Sequence, residues 1–341
     1  MGQRRPRATT LAAAALAAAV LAGAATVLAA CGSQATGGAS RARVQSASLV
    51  LDFTPNAIHT GIYEALARGF LRDDGVDLHV LVPGASTDAI SLLAARKVDF
   101  AILDIHDLAI ADEQGRKLVG VMALVERPLA SVIARPQFAS PRDLAAPGRL
   151  VGVTGDPSDL AVLRSIVAGS GGDPARLKTI TIGYDAVPDL LAGRVAAATA
   201  FWNDEGVQLE HDARGFHVFR VEDYGAPPYP ELVVTATAAL LRSDPRLVRG
   251  LVHGLVRGYQ AVLADPSAGE RALESQVSGL SRTAVADQLA AELPAFRPAG
   301  GGSPGALRTS TLDAWAGWEV RFGIVRRRPD VSALFDTAFL P

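Results

Sequence analysis

Three short stretches hold side chains of kinds that bind small molecules. In LDFTPNAIHTGIY, Asp52, Phe53, Asn56 and His59 crowd a single turn, and Tyr63 stands one helical turn further on. AFWNDEG supplies Trp202 and Glu205, and APPYPE supplies Tyr229. Aromatic faces beside carboxylates and amides can sandwich a flat ring and accept from its N–H groups. A charge-assisted bond of that kind is about twice as strong as a neutral one. Each residue also has a plainer role open to it. Phe53 ends an apolar run and can be core, Glu205 can be a solvated carboxylate at a helix start, His59 can bond its own backbone, and Tyr63 can pack beneath a cleft. Catalysis has less support: no Ser/His/Asp set and no carboxylate pair falls at a suggestive spacing. His106, His211, His217 and His253 show no metal-ligand spacing. Asp104 and His106 could chelate but read as a solvated loop, and no metal site is expected.

The elements that would position these residues alternate regularly from about Ser46. ASLVLDF reads as a buried strand, His59 to Leu71 as a helix with Ile62, Ala65, Leu66 and Phe70 at helical spacing, and VDLHVLV as the next strand. STDAISLLAARKVDFAIL and HDLAIADEQGRKLVGVMALVE repeat the plan, which predicts a parallel sheet covered by helices on both faces. From Ser140 a second block follows the same course, with a helix capped by Asp156 or Ser158. LLAARKVDFAIL and LLAGRVAAATAF echo each other, as two lobes built on one plan would. After YGAPPYPELVVTATAALL the chain turns mostly helical, beginning with Asp244 to Leu263. These pieces predict an α/β protein of two lobes, residues 46–134 with 236–341 and residues 135–235, crossing near Ala134 to Pro136 and Val233 to Ala236. Ligands of such sheets lie at the carboxyl ends of strands and between lobes, which is where the turn at Asp52 to His59 falls.

The chain of 341 residues is 49% hydrophobic and only 6% aromatic, so its core is mainly Ala, Val and Leu, and a formal charge of −2 offers nothing for nucleic acid. Residues 1–30 are different. A basic start carrying Arg4, Arg5 and Arg7 precedes a long Ala-rich apolar run ending LAAC at Cys31, the one cysteine in the sequence, and GSQATGGASRAR follows as a flexible tether to residue 45. This resembles the lipobox of bacterial lipoproteins, which implies removal of residues 1–30 as a signal peptide and a lipid on Cys31 that holds the protein outside the cell membrane. Arg4 and Arg5 also hint at twin-arginine export, but their flanking residues fit it poorly and ordinary export is expected. With no second cysteine, no disulfide can form within the mature chain.

The turn at Leu51, together with KVDFAIL, ERPLASVIA, AFWNDEGVQLE, YGAPPYPELVV and the terminal LFDTAFLP, resembles the family of ABC-transporter substrate-binding lipoproteins that capture thiamine pyrimidine precursors such as formylaminopyrimidine or hydroxymethylpyrimidine. It is similar also to the fungal pyrimidine synthase of the same fold. The resemblance implies a periplasmic-binding-protein fold of type II with a central ligand cleft, an ABC permease and its ATPase as partners, a monomer, and no cofactor. It implies Phe53, Trp202 and Tyr229 as aromatic platforms, Glu205 as acceptor for the exocyclic amine, and Asp52, Asn56, His59 and Tyr63 around them. Phe53 stands where the family has Trp. The synthase branch would bring a lysine where KVDFAIL runs into Asp104, and a cysteine-rich motif, and the sequence has neither. In the GDPSD loop, Asp156 and Asp159 add negative charge where the synthase branch binds phosphate, so a dephosphorylated ligand is expected. The alternatives are a binding protein of the same fold for a sulfonate, nitrate or riboflavin, or a synthase-like enzyme.

Overall fold

Five apolar runs become strands buried along nearly their whole length: β3 (Phe100–Asp104), β4 (Leu118–Ala123), β5 (Ala130–Ala134), β8 (Ala197–Phe201) and β10 (Leu232–Thr237). Such strands must be covered on both faces. They are joined by β1 (Gln45–Val50), β2 (Val76–Leu81), β6 (Val151–Val153), β7 (Thr179–Thr181) and β9 (His217–Arg220). The computed structural model describes residues 44–341 except 85–87, 157, 214 and 299. The expected leader, Cys31 and nearly all of the tether lie outside the described residues.

The strands form two five-stranded sheets, ordered β2-β1-β3-β10-β4 and β7-β6-β8-β5-β9. In each sheet the first three strands run parallel, and the fourth is inserted antiparallel between its neighbours. The sheets are therefore mixed rather than parallel. The antiparallel strand of each is the segment by which the chain enters from the other half, so local strand-helix alternation could not foretell its direction. The sequence echo has a structural counterpart, since β3 and β8 hold the same place in the two sheets.

The lobe boundaries need correction. β5 pairs with β8 and β9, so residues 130–134 belong to the second lobe, and β10 pairs with β3 and β4, so residues 232–235 belong to the first. ASVIA and LVVTAT are central strands, and the chain changes lobe in the Pro-containing segments before them, 124–129 and 221–231. The helix expected over His59 to Leu71 is also divided. A short 3-10 turn, Ala57–His59, leads into Thr60–Ala67, and Gly69 at φ 72 breaks the path before Phe70–Asp73.

The longest helix among the described residues, Pro245–Ala264, is capped by the Asp244 carboxylate accepting from the Leu247 amide, and its glycines face the first lobe. A Cβ on Gly258 would stand 2.1 Å from the Gly61 carbonyl oxygen, and one on Gly250 2.5 Å from that of Asp74. Side-chain-free positions at this spacing bring the helix directly against Thr60–Ala67, and so brace the turn at Asp52 to His59.

Candidate functional site

A cavity with about 860 Å³ of empty space, its mouth included, opens between the two sheets. Asp52 and Phe53 reach it just after β1, Asp104 ends β3, Thr154 follows β6, and Phe201 ends β8. These are carboxyl ends of strands, as expected for an open α/β sheet. The antiparallel strands start here too: Ala130 and Ser131 open β5, and Glu231 directly precedes β10.

The polar lining has one sign. Asp52, Asp104, Asp107, Asp156, Asp159, Asp204, Glu205 and Glu231 all line the cavity, and among the described residues no Lys or Arg does. Glu205 opens the helix Glu205–Asp212 and accepts from the Phe201 amide at 3.0 Å. Burial, then the nearby charge of Asp204, pushes its carboxyl up to about 8, so at neutral pH it carries a proton. Asp204 is pushed up to about 6, chiefly by burial, although the Asn56 amide donates to it at 3.2 Å and Gln288 donates to its other oxygen. Asp107 rises to about 7 through burial and the charge of Asp156. Asp159 is raised by burial, against three donors: the Thr154 amide at 2.6 Å and hydroxyl at 2.9 Å, and the Thr199 hydroxyl at 2.7 Å. The helix Asp159–Gly169 begins after Ser158, one of the two expected caps, but the Ser158 side chain makes no cap bond. At the mouth, Phe53 of the first lobe meets Tyr184 of the second edge to face, with ring centroids 4.6 Å apart.

Asp52, Phe53, Asn56 and Glu205, expected from the sequence, thus line the cavity together. His59, Tyr63, Trp202 and Tyr229 do not. His59 is fully buried and closes a capping box: its Nδ1 accepts from the Asn56 amide at 3.2 Å, and its Nε2–H donates to Asp52 at 3.0 Å. It shapes the crowded turn and orients Asp52. Tyr63 packs in the core under the first sheet. The Trp202 indole N–H donates to the Pro128 carbonyl at 2.9 Å, and the Arg220 guanidinium lies 4.0 Å from its ring centroid. The indole therefore clamps the first crossover. Its neighbours in WNDEG are polar, yet Asn203 is itself buried, donating to Glu292 at 2.7 Å. Tyr229, in the second crossover, has no exposed surface and places its hydroxyl 3.1 Å from His106 Nε2.

The loop expected around Asp104 and His106 is not solvated. Asp104 caps the helix Ile105–Glu113 by accepting from the His106 amide at 2.7 Å, and His106 is fully buried with Nδ1 against Glu319. Burial by itself would lower the His106 imidazolium; Glu319 and Asp104 outweigh it and raise it to about 10. Sequence reasoning missed Tyr184 as well as the cavity roles of Asp107, Thr199 and Glu231. Tyr184 follows a strand end in KTITIGY, a position that could have been read as cleft-facing; the other three carry no local signal.

Residues 56–269 match the family described as NMT1/THI5 like. The chain belongs to that family. The chain is similar to the formylaminopyrimidine-binding protein of Halalkalibacterium halodurans, 28% identical over 65% of this chain and 68% of that protein. A 4-amino-5-hydroxymethyl-2-methylpyrimidine phosphate synthase of Saccharomyces cerevisiae is 21% identical over 64% of this chain and 67% of its own length. Among solved structures, the alkanesulfonate-binding protein of Xanthomonas axonopodis bound to MOPS superposes with a TM-score of 0.68 over 87% of this chain and 100% of that one, at 16% identity. The fold is that of a type II periplasmic binding protein.

Proposed function

We propose that this protein is the extracytoplasmic solute-binding component of an ABC importer and captures a thiamine pyrimidine precursor such as formylaminopyrimidine. One observation carries the reading: among the described residues the cleft is lined by carboxyls and no basic side chain, with Glu205, pushed up to about 8 by burial, at its wall. A carboxylic acid can donate its O–H to a ring nitrogen while its carbonyl accepts from the neighbouring exocyclic amine, a two-point match to the edge of an aminopyrimidine. The remaining carboxylates accept N–H groups, and Phe53 and Tyr184 supply aromatic faces at the mouth. A sulfonate, nitrate or phosphate would meet like charge here, which disfavours the anion-binding alternatives. Binding rather than catalysis is supported by the higher identity to the binding protein than to the synthase.

Delivery would follow from the anchor at Cys31 and from lobe closure about segments 124–129 and 221–231, with the protein working as a monomer beside a permease and its ATPase. No described helix is long and apolar enough to cross a membrane; in this reading the attachment is a lipid on Cys31. Calorimetric titration of the purified protein with formylaminopyrimidine and hydroxymethylpyrimidine tests the assignment. Micromolar binding, worth about 8 kcal/mol, is expected, together with a loss of tenfold or more in Glu205→Ala. No heat with either pyrimidine, or unchanged affinity in the variant, refutes it.

A further inference from the structure

We propose that Asp104, His106 and Glu231 bind a divalent first-row transition-metal ion, for which zinc is the test ion, at the floor of the cavity. The proposal does not depend on which organic solute the cleft takes.

The three residues are brought together by backbone pairing. Asp104 ends β3, His106 begins the following helix, and Glu231 precedes β10; Leu232 pairs with Asp104 in the sheet, and the Ile105 amide donates to the Glu231 carbonyl at 2.9 Å. One donor atom from each residue lies within 4.8 Å of the others, and Glu231 Oε1 stands 3.9 Å from His106 Nε2. Two donors at about 2.1 Å from a tetrahedral ion stand about 3.4 Å apart, so the set must draw inward around the ion to complete the site.

Glu231 supplies the second, independent observation. Its Oε2 is held by the Leu129 and Ala130 amides at 2.5 and 2.9 Å, which fixes the carboxylate, while Oε1 is buried with no N–H or hydroxyl donor on it and only the Asp104 carboxyl near enough to share a proton with the group. An unsatisfied buried carboxylate oxygen is costly, and a cation between it and His106 would remove that cost. Behind the imidazole, Glu319 holds Nδ1, the arrangement by which a carboxylate aims a ligating histidine. His106 Nε2 now faces the Tyr229 hydroxyl at 3.1 Å; to ligate, the ring gives up its Nε2 proton as the ion enters and the hydroxyl turns aside. One imidazole nitrogen with two carboxylate oxygens suits zinc, cobalt or manganese better than magnesium or calcium, which take oxygen sets. Asp104 and Glu231 line the cavity, so water can fill the ion's remaining positions from that side.

The test uses the purified protein stripped by chelator and titrated with zinc chloride in calorimetry, without pyrimidine. One ion per chain at micromolar or tighter affinity is expected, falling at least a hundredfold in Glu231→Gln and in His106→Gln and by less than threefold in Asp156→Asn, which removes a carboxylate elsewhere in the lining. Absence of binding below millimolar zinc would mean that Asp104 and Glu231 share a proton instead, and overturns the proposal. So would equal losses in all three variants, the mark of general charge attraction. Cobalt substitution in the unmutated protein gives a readout independent of variant folding: a paramagnetically shifted imidazole N–H resonance from one histidine is expected, and a spectrum without one is decisive against the site.

Discussion

Replacing Glu205 by glutamine should make the protein more stable, and more so as the pH rises. A glutamate titrates near 4.5 in the unfolded chain, and burial beside Asp204 holds Glu205 at about 8 in the folded one. Because the folded value is the higher, the folded state keeps a proton that the unfolded chain has already released. The contribution is intact below about 4.5 and is lost progressively until pH passes about 8. The slope for one group is at most about 1.4 kcal/mol per pH unit, so the loss accumulated by pH 7 has a ceiling of about 3 kcal/mol. Glutamine has the same shape, can still accept from the Phe201 amide, and does not titrate. Urea denaturation of both proteins at pH 5, 6.5 and 8, without ligand, should show near-equal stability at pH 5 and a gap of about 2–3 kcal/mol at pH 8. A gap that fails to widen with pH would refute the claim that Glu205 is kept neutral by its surroundings.

Phe53→Ala should weaken pyrimidine binding by about 1 kcal/mol, roughly fivefold, as read by calorimetry, whereas Phe53→Tyr should retain it. Trp202→Phe removes the bond to Pro128 and the best face for Arg220, and should cost about 1–2 kcal/mol in chemical denaturation while leaving ligand affinity within twofold; a tenfold affinity loss would return the indole to the binding surface. Gly258→Ala should destabilise by about 1–3 kcal/mol, because its Cβ has no room beside Gly61, and thermal denaturation would detect it. Gly317→Ala, in a helix with nothing within 4 Å of the added Cβ, should instead stabilise by about 0.5–1 kcal/mol.

Much of the architecture could be read in advance, because periodicity and turn chemistry are local. The helix from Asp244 is legible in the run LVRGLVHGLVRGYQAVL, and the kinship of β3 and β8 in a dozen residues in each half. The crossovers were misplaced for the opposite reason. ASVIA and LVVTAT are ordinary apolar strands, and which sheet each joins depends on partners some seventy to one hundred and thirty residues away. The site divides in the same way. Asp52, Phe53, Asn56 and Glu205 could be proposed because turns and strand ends expose side chains to a cleft. Trp202 and Tyr229 cannot be told from ligand-facing aromatics in the sequence, since Trp202 has neighbours as polar as those of a binding residue, Tyr229 sits between prolines as a loop residue would, and only the fold shows where their polar atoms find partners.

Residue order was sufficient for the kind of molecule: alternating strands and helices, two matching halves, and polar turns at strand ends, all dictated by interactions between near neighbours in the chain. The acidity of the cleft and the neutral state of Glu205 were not contained in any segment. The same holds for the gathering of Asp104, His106 and Glu231. These arise where two sheets meet, because burial and the fields of charges distant in sequence act on a side chain only after the lobes have packed around it.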